Sequence, residues 1–346
     1  MFQQGTAMPA EVLPTHTPAL LAEAIEKTAA LLRAGEVVAV PTETVYGLAA
    51  NALDPQAVAK IYALKGRPSH NPIIVHVASA SMAHACSRYW PALADALGSA
   101  FWPGPMTLVV PKSDWIPDIV TAGGPTVGVR WPQHPFMQGL IRTCGFPLAA
   151  PSANLANRLS PTHVSHVAAQ LGDALPLIVD GGDCNVGIES TVVDVTGAEP
   201  RILRPGMISE PAIQAAAFQA RLSVITPSPS DDNVLRSPGL LAKHYSPEAR
   251  LVLWSWPDES HLARLVETLN IPPSQAFILA HSKIPMSGRF PHVMLIPDDP
   301  EAFARALYAE LHRCDELGAR LIVVEKLPDT PEWAGITDRL RRASTP

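Results

Sequence analysis

The residues with the most chemistry to offer are cations, hydroxyls and amides gathered in short loops. In KGRPSHNPIIVHV, Lys65 and Arg67 flank a glycine after a helical stretch and before a strand. Two cations on a turn of fixed shape suit a polyanion such as a triphosphate: arginine forks onto phosphate oxygens and lysine adds a compact charge. The same triplet also fits a solvated basic turn. His76 alternates with apolar residues on that strand, so it either faces a site or sits in the core as a satisfied histidine. PTETVYGLAANA places Thr42, Glu43 and Thr44 where a strand opens into a loop, the usual ligand end of an α/β protein. It also spells a helix cap. In APSANLANRLSPT, Ser152, Asn154 and Ser160 lie beyond a strand end. Such groups, with helix N-terminal N–H groups, hold phosphate or carboxylate, although turns use the same residues. Arg130 ends an apolar strand in GVRWPQHP and either pairs with a core carboxylate or holds an anionic ligand. Ser190 and Thr191 precede a buried strand in GIESTVVDV, and Arg204 precedes a Pro-Gly turn that also suits a surface arginine.

Other chemistries lack their signatures. No Walker A pattern, GxGxxG or HExxH occurs, and no Ser-His-Asp or Cys-His order is suggested. Cys86, Cys144, Cys184 and Cys314 are scattered without a CxxC pair, which fits reduced thiols better than disulfides or zinc. The net charge of -6 argues against non-specific grip on a nucleic-acid backbone, so any contact with a polynucleotide is expected to be brief or indirect. No signal peptide and no run long enough to span a membrane is visible, and the cytoplasm is the expected location.

These loops need elements to aim them. The 346 residues, 47% hydrophobic, suffice for two domains. Residues 1 to 16 read as a loose leader. Thr17 and Pro18 start a helix that Gly35 ends, and Asp54–Pro55 start another that ends near Lys65–Gly66. Strands are expected at Val37–Val40, Ile73–Val77, Leu108–Val110, Thr126–Val129, Pro147–Ala150, Leu177–Val179 and Thr191–Val195, with helices between them. A helix over about Pro211–Arg221 leads into a stretch of proline, serine and paired aspartates with linker chemistry. From Arg250 a small block of alternating strands and helices predicts a parallel sheet. The 36 prolines read as rigid loops around a folded sheet.

Taken in order, PTETVYGL, KGRP with NP after it, WPGPMTLV, VGVRWPQHP, APSANLANRLSPT and ESTVVDV resemble the YrdC-type threonylcarbamoyl-AMP synthases from about Leu20 to Gly206. SPGLLAKHYSP and the tail GITDRLRRAS resemble the two-domain branch of that family. The resemblance implies an α/β fold: a YrdC-like twisted mixed sheet with helices (18–206), a linker closing over the active site (207–248), and a smaller C-terminal Rossmann-like α/β domain (249–346). The second domain has no phosphate-binding glycine motif and reads as supportive or partner-binding. The implied reaction makes threonylcarbamoyl-AMP and pyrophosphate from L-threonine, bicarbonate and ATP, with Mg2+ accompanying ATP. A separate transferase complex then modifies tRNA. On this reading Thr44, His76, Arg130, Ala150 and Ser190 hold L-threonine. Arg67, Asn71, Thr126, Ser152, Asn154, Ser160, Arg204 and Tyr245 hold ATP, and Lys65 and Arg67 neutralise phosphate charge in catalysis. Two alternatives stand beside it. One is the related domain of hydrogenase maturation proteins, whose acylphosphatase and zinc-finger-like segments are not seen here. The other is a module for double-stranded RNA.

Overall fold

A computed structural model describes residues 10–219 and 245–345. The first block of strands is β1 Glu11–Pro14, β2 Val38–Val40, β3 Gly47–Asn51, β4 Val75–His76, β5 Met106–Pro111, β6 Thr126–Arg130, β7 Leu148–Ala149, β8 Leu177–Asp180, β9 Thr191–Asp194 and β10 Arg201–Arg204. The helices among them are α1 Pro18–Arg33, α2 Pro55–Lys65, α3 Ala80–Ala85, α4 Ala92–Phe101, α5 Asp118–Thr121, α6 Pro135–Cys144, α7 Val164–Leu171 and α8 Glu210–Gln219. The strands form one ten-stranded sheet in the order β1-β8-β2-β3-β7-β4-β6-β5-β9-β10. It is mixed: β2–β3, β3–β7, β5–β6 and β9–β10 run antiparallel, whereas β4–β6, β5–β9 and β1–β8 run parallel.

Period-two alternation buries both faces of this sheet. Ala39, Leu48, Ala50 and Ile178 point into one apolar cluster with α2, α4 and α7. Val38, Val40, Ala49, Leu177 and Val179 point into the other, against α1 and α6. Helix starts follow their signals. Thr17 Oγ1 accepts from Leu20 N at 3.2 Å with Pro18 at the first turn, and Asp54 caps α2. Helix α2 ends at Gly66, whose φ of +59° turns the chain to present Arg67.

Several expectations are corrected. Residues 11–14 are not a loose leader: β1 pairs in parallel with β8, with Glu11 opposite Leu177. The helix-cap reading of Thr42–Thr44 fails. Thr42 Oγ1 accepts from Thr44 N and Val45 N and donates to Val45 O, closing a turn that sends the chain back as β3. Of the expected Ile73–Val77 strand, Val75–His76 form the register pairs, while Ile74 O accepts from Ala150 N and Val77 N donates to Arg130 O, and β10 and α5 lie beyond the expected elements.

The second block holds β11 Arg250–Trp254, α9 Glu259–Glu267, β12 Ala276–Ala280, β13 His292–Leu295, α10 Pro300–Glu316, β14 Leu321–Glu325 and α11 Ala334–Ala343. Its strands form a wholly parallel sheet, β11-β14-β12-β13, as the alternating pattern predicts. The two blocks share an apolar cluster: Val45, Leu159 and Ile188 pack with Phe303, Leu307, Tyr308 and Ile336. Gln219 ends the described part of α8, so the expected end at Arg221, the paired aspartates and SPGLLAKH lie outside the described residues. Among the described residues the four cysteines are free and buried, and no helix is long and apolar enough to cross a membrane.

Candidate active site

Strand ends from the middle and one edge of the large sheet converge on a single cavity. It spans about 550 Å³ of atom-free space, part of it open solvent. Thr44, His76, Arg130, Ala150 and Ser190 all line it, as do Arg67, Ser152, Arg204 and Tyr245. Neighbouring strands explain the convergence. His76 and Arg130 are register partners on β4 and β6, and an isolated bridge joins Gly47 to Ser152.

At one end Arg130 is 4% exposed. Its Nη2 ion-pairs with Glu43 Oε1 at 2.7 Å, Nη1 donates to Thr44 Oγ1 at 2.8 Å, and Nε donates to Gly104 O at 3.3 Å. A guanidinium has five N–H groups, so two are left for a ligand carboxylate. Burial would raise the Glu43 carboxyl, but Arg130 and the Gln133 N–H outweigh it and hold the group below its ordinary range. His76 is buried beside Arg130, and both effects lower it to about 3. Its imidazole is therefore neutral at physiological pH.

At the other end Arg67 is pinned: Nε donates to Asn71 O, and Nη2 to Asn71 Oδ1 and Pro72 O at 2.8 and 2.6 Å. These bonds leave Nη1 outside them. Burial lowers Arg67 to about 10, so it keeps its charge. Arg204 donates from Nη2 to Ser190 O and Oγ at 2.9 and 3.2 Å, and Ser190 Oγ also meets Thr107 Oγ1 at 2.8 Å. Tyr245 is 1% exposed and enters because Ser246 N donates to Asn157 O while Arg158 and Ser246 form a bridge.

The remaining expected residues stand behind or away from the wall. Lys65 is buried, and its Nζ donates to the carbonyls of Ser152 and Asn154 rather than facing the cavity. Burial and then Arg67 push its ammonium well below its ordinary pKa. Asn154 Nδ2 donates to Leu155 O and Arg158 O, bracing the same turn. Asn71 serves as the anchor of Arg67, and Ser160 Oγ donates to Glu189 Oε1 at 2.5 Å. Thr126 begins β6, opposite Pro111, and is not among the lining residues.

Thr42, expected at the ligand end of its strand, lines the cavity, and Val45, Tyr46, Gly47, Ile74, Pro151 and Glu189 line it unforeseen. Glu189 carried a signal, since an acid before Ser190 at a buried strand start has to find a partner. Those partners are Arg339 Nε at 2.6 Å, Ser160 and Tyr308. Burial raises the Glu189 carboxyl, but Arg339, Arg204 and Ser160 bring it down to about 2.

Comparison with known proteins finds relatives along most of the chain. A family profile described as telomere recombination matches residues 30–206, and one described as threonylcarbamoyl-AMP synthase, C-terminal domain, matches residues 208–345. A threonylcarbamoyl-AMP synthase of Pyrococcus abyssi is 36% identical, over 92% of this chain and 94% of that protein. One of Bacillus subtilis is 39% identical over 92% of each. A crystal structure of P. abyssi Sua5 complexed with L-threonine superposes with a TM-score of 0.85 at 33% identity, covering 97% of this chain and 98% of that one.

Proposed function

The chain belongs to the threonylcarbamoyl-AMP synthase family, and we propose that its cavity joins L-threonine, bicarbonate and ATP into threonylcarbamoyl-AMP and pyrophosphate. The observation that carries this reading is one cavity with Arg130, Thr44 and His76 at one end and Arg67 and Arg204 at the other. In this reading the two remaining Arg130 N–H groups fork onto the threonine carboxylate. Ala150 and Ser190 bound the amino acid, and neutral His76 offers a hydrogen bond without repelling its ammonium. The amine, once deprotonated, attacks the bicarbonate carbon, and water leaves to give the carbamate. A carbamate oxygen then forms a bond to the α-phosphorus as the bond to pyrophosphate breaks. Such nucleotidyl transfer asks for positioning and charge neutralisation, not a protein nucleophile.

Arg67, Ser152 and Arg204 take the triphosphate side in this scheme, with Asn71 holding Arg67 and Asn154 bracing the turn. Lys65 acts one layer back, where it fixes the carbonyls of that turn. Magnesium fits as a companion of ATP. Glu189, the carboxylate among the described lining residues, is taken by Arg339, Ser160 and Tyr308, so the ion would rest on phosphate oxygens and wall hydroxyls such as Ser152. It would supply further charge neutralisation there. Tyr245 closes the wall as a lid that keeps water from the carbamate and the mixed anhydride. Tyr245→Ala should therefore raise futile ATP turnover or cut product yield. No change in either would remove the lid from the mechanism.

The product would serve as donor for threonylcarbamoylation of tRNA by a separate transferase, in the cytoplasm. The decisive experiment supplies labelled bicarbonate, L-threonine and ATP and looks for labelled threonylcarbamoyl-AMP by mass spectrometry. Pyrophosphate release that needs neither threonine nor bicarbonate would overturn the assignment, and RNA binding without pyrophosphate release would favour the RNA-binding module.

A further inference from the structure

The second domain reaches the nucleotide end of the cavity chiefly through Arg339, with Tyr308 beside it. Arg339 lies on α11, yet it is 1% exposed and turns its guanidinium to the first domain, with Nη1 also pairing with Asp338 Oδ2 of its own helix at 2.9 Å. Nε donates to Glu189 Oε2 at 2.6 Å, Nη2 to Glu189 O at 3.2 Å, and Nη1 to Pro205 O at 2.9 Å. It therefore grips the residue before Ser190 and the residue after Arg204 at once. Its charge also sits 5.2 Å from the centre of the Tyr245 ring, a cation–π distance. Glu189 relays the grip, accepting from Ser160 Oγ and from Tyr308 Oη of α10.

The backbone is built for this contact. Gly335, in the first turn of α11, lies so close to Gly206 that an added Cβ would stand 2.6 Å from its carbonyl oxygen. Gly187 has φ of +83°, and a Cβ there would fall 2.3 Å from Ala304 O on α10. His312 Nε2 lies 3.1 Å from Ser160 O. The segments 187–190 and 204–206 and Ser160 are thus each held against α10 or α11.

We propose that Arg339 is a positioning residue for the nucleotide, acting through Glu189 and Pro205 to set Ser160, Arg204 and Tyr245, so that the second domain completes the active site. This rests on the synthase reading above. It assigns the domain a part in nucleotide placement, while Arg130, which anchors the L-threonine end, bonds Glu43, Thr44 and Gly104 of the first domain.

The test measures pyrophosphate release and L-threonine binding in the full-length protein. Arg339→Gln is expected to raise the KM for ATP at least tenfold and to increase threonine-independent ATP hydrolysis. Its Kd for L-threonine should stay within about threefold of the parent. Arg339→Lys should recover little, because one ammonium cannot span Glu189 and Pro205 in the same geometry. Tyr308→Phe removes a single hydroxyl from the same carboxylate and should raise the ATP KM several-fold. It carries the test alone if Arg339→Gln fails to fold. An ATP KM within twofold of the parent in the folded variants, or equal losses in ATP and threonine affinity, overturns the proposal. If the parent chain itself makes no threonylcarbamoyl-AMP, the synthase reading fails first, which the parent assay shows directly.

Discussion

Arg130 and Glu43 form an ion pair in which both side chains are 5% exposed, so each is the other's solvent. Breaking such a pair from one side typically costs about 3–5 kcal/mol, because the survivor is a buried uncompensated charge. Arg130→Ala should therefore lower Tm and abolish measurable L-threonine binding by calorimetry. Arg130→Lys should restore part of the stability and little of the binding, since an ammonium cannot reach Glu43, Thr44 and a carboxylate in one plane. Equal threonine affinity in the lysine variant would count against carboxylate recognition by this side chain. Lys65 invites the opposite expectation. Its ammonium meets two backbone carbonyls, so Lys65→Met should act through the 152–154 turn. ATP affinity and Tm are expected to fall together, leaving threonine affinity nearly unchanged.

At the scale of elements, Gly187→Ala is the sharpest probe of the contact between domains. A methyl group there meets α10 backbone, which cannot swing aside as a side chain can, and the left-handed φ adds strain. The substitution should cost about 2 kcal/mol or more, read as a lower denaturant midpoint. An unchanged midpoint would mean that the α10 contact is loose. The same scale shows what the sequence could and could not say. Helices with capping residues, such as α2 from Asp54 to Gly66, were legible nearly to the residue because capping is local chemistry. The parallel second sheet was legible from its alternation of elements. Strand β3 was not, because GLAAN looks like a continuing loop until Thr42 folds the chain back and β7 pairs along it. Strand β1 was missed for a related reason: four residues acquire their meaning only beside β8. In the site, cations and hydroxyls could be named from their loops. Arg339 was passed over, although its spacing puts it on the apolar face of Ile336, Leu340 and Ala343, because only burial against a segment 150 residues away shows what it binds.

Across the whole molecule, buried histidines set the response to acid. Burial lowers His76 and His166 to about 3, with Arg130 adding to it at the first and His312 and His163 at the second. His134 and His312 are lowered too, by burial. The unfolded chain, with histidines near pKa 6.5, binds more protons than the native state as pH falls below that value. Stability should decline as pH falls from about 6.5 toward 3, more steeply below about 4.5 as Glu43 and Glu189 protonate in the unfolded chain first. Thermal melts at matched ionic strength check this, and a melting point that rises on acidification from pH 7.5 to 5 would contradict it. The order of strands in the large sheet bears on something earlier still, the making of the protein. Leu177 has to be in place before Glu11 can pair, and Thr191 before Met106 can. Closing such long loops is slow, and parallel pairing leaves apolar strands uncovered in the meantime. A newly made chain should therefore take seconds rather than milliseconds to mature, and chaperones that shield it during that interval should raise its yield.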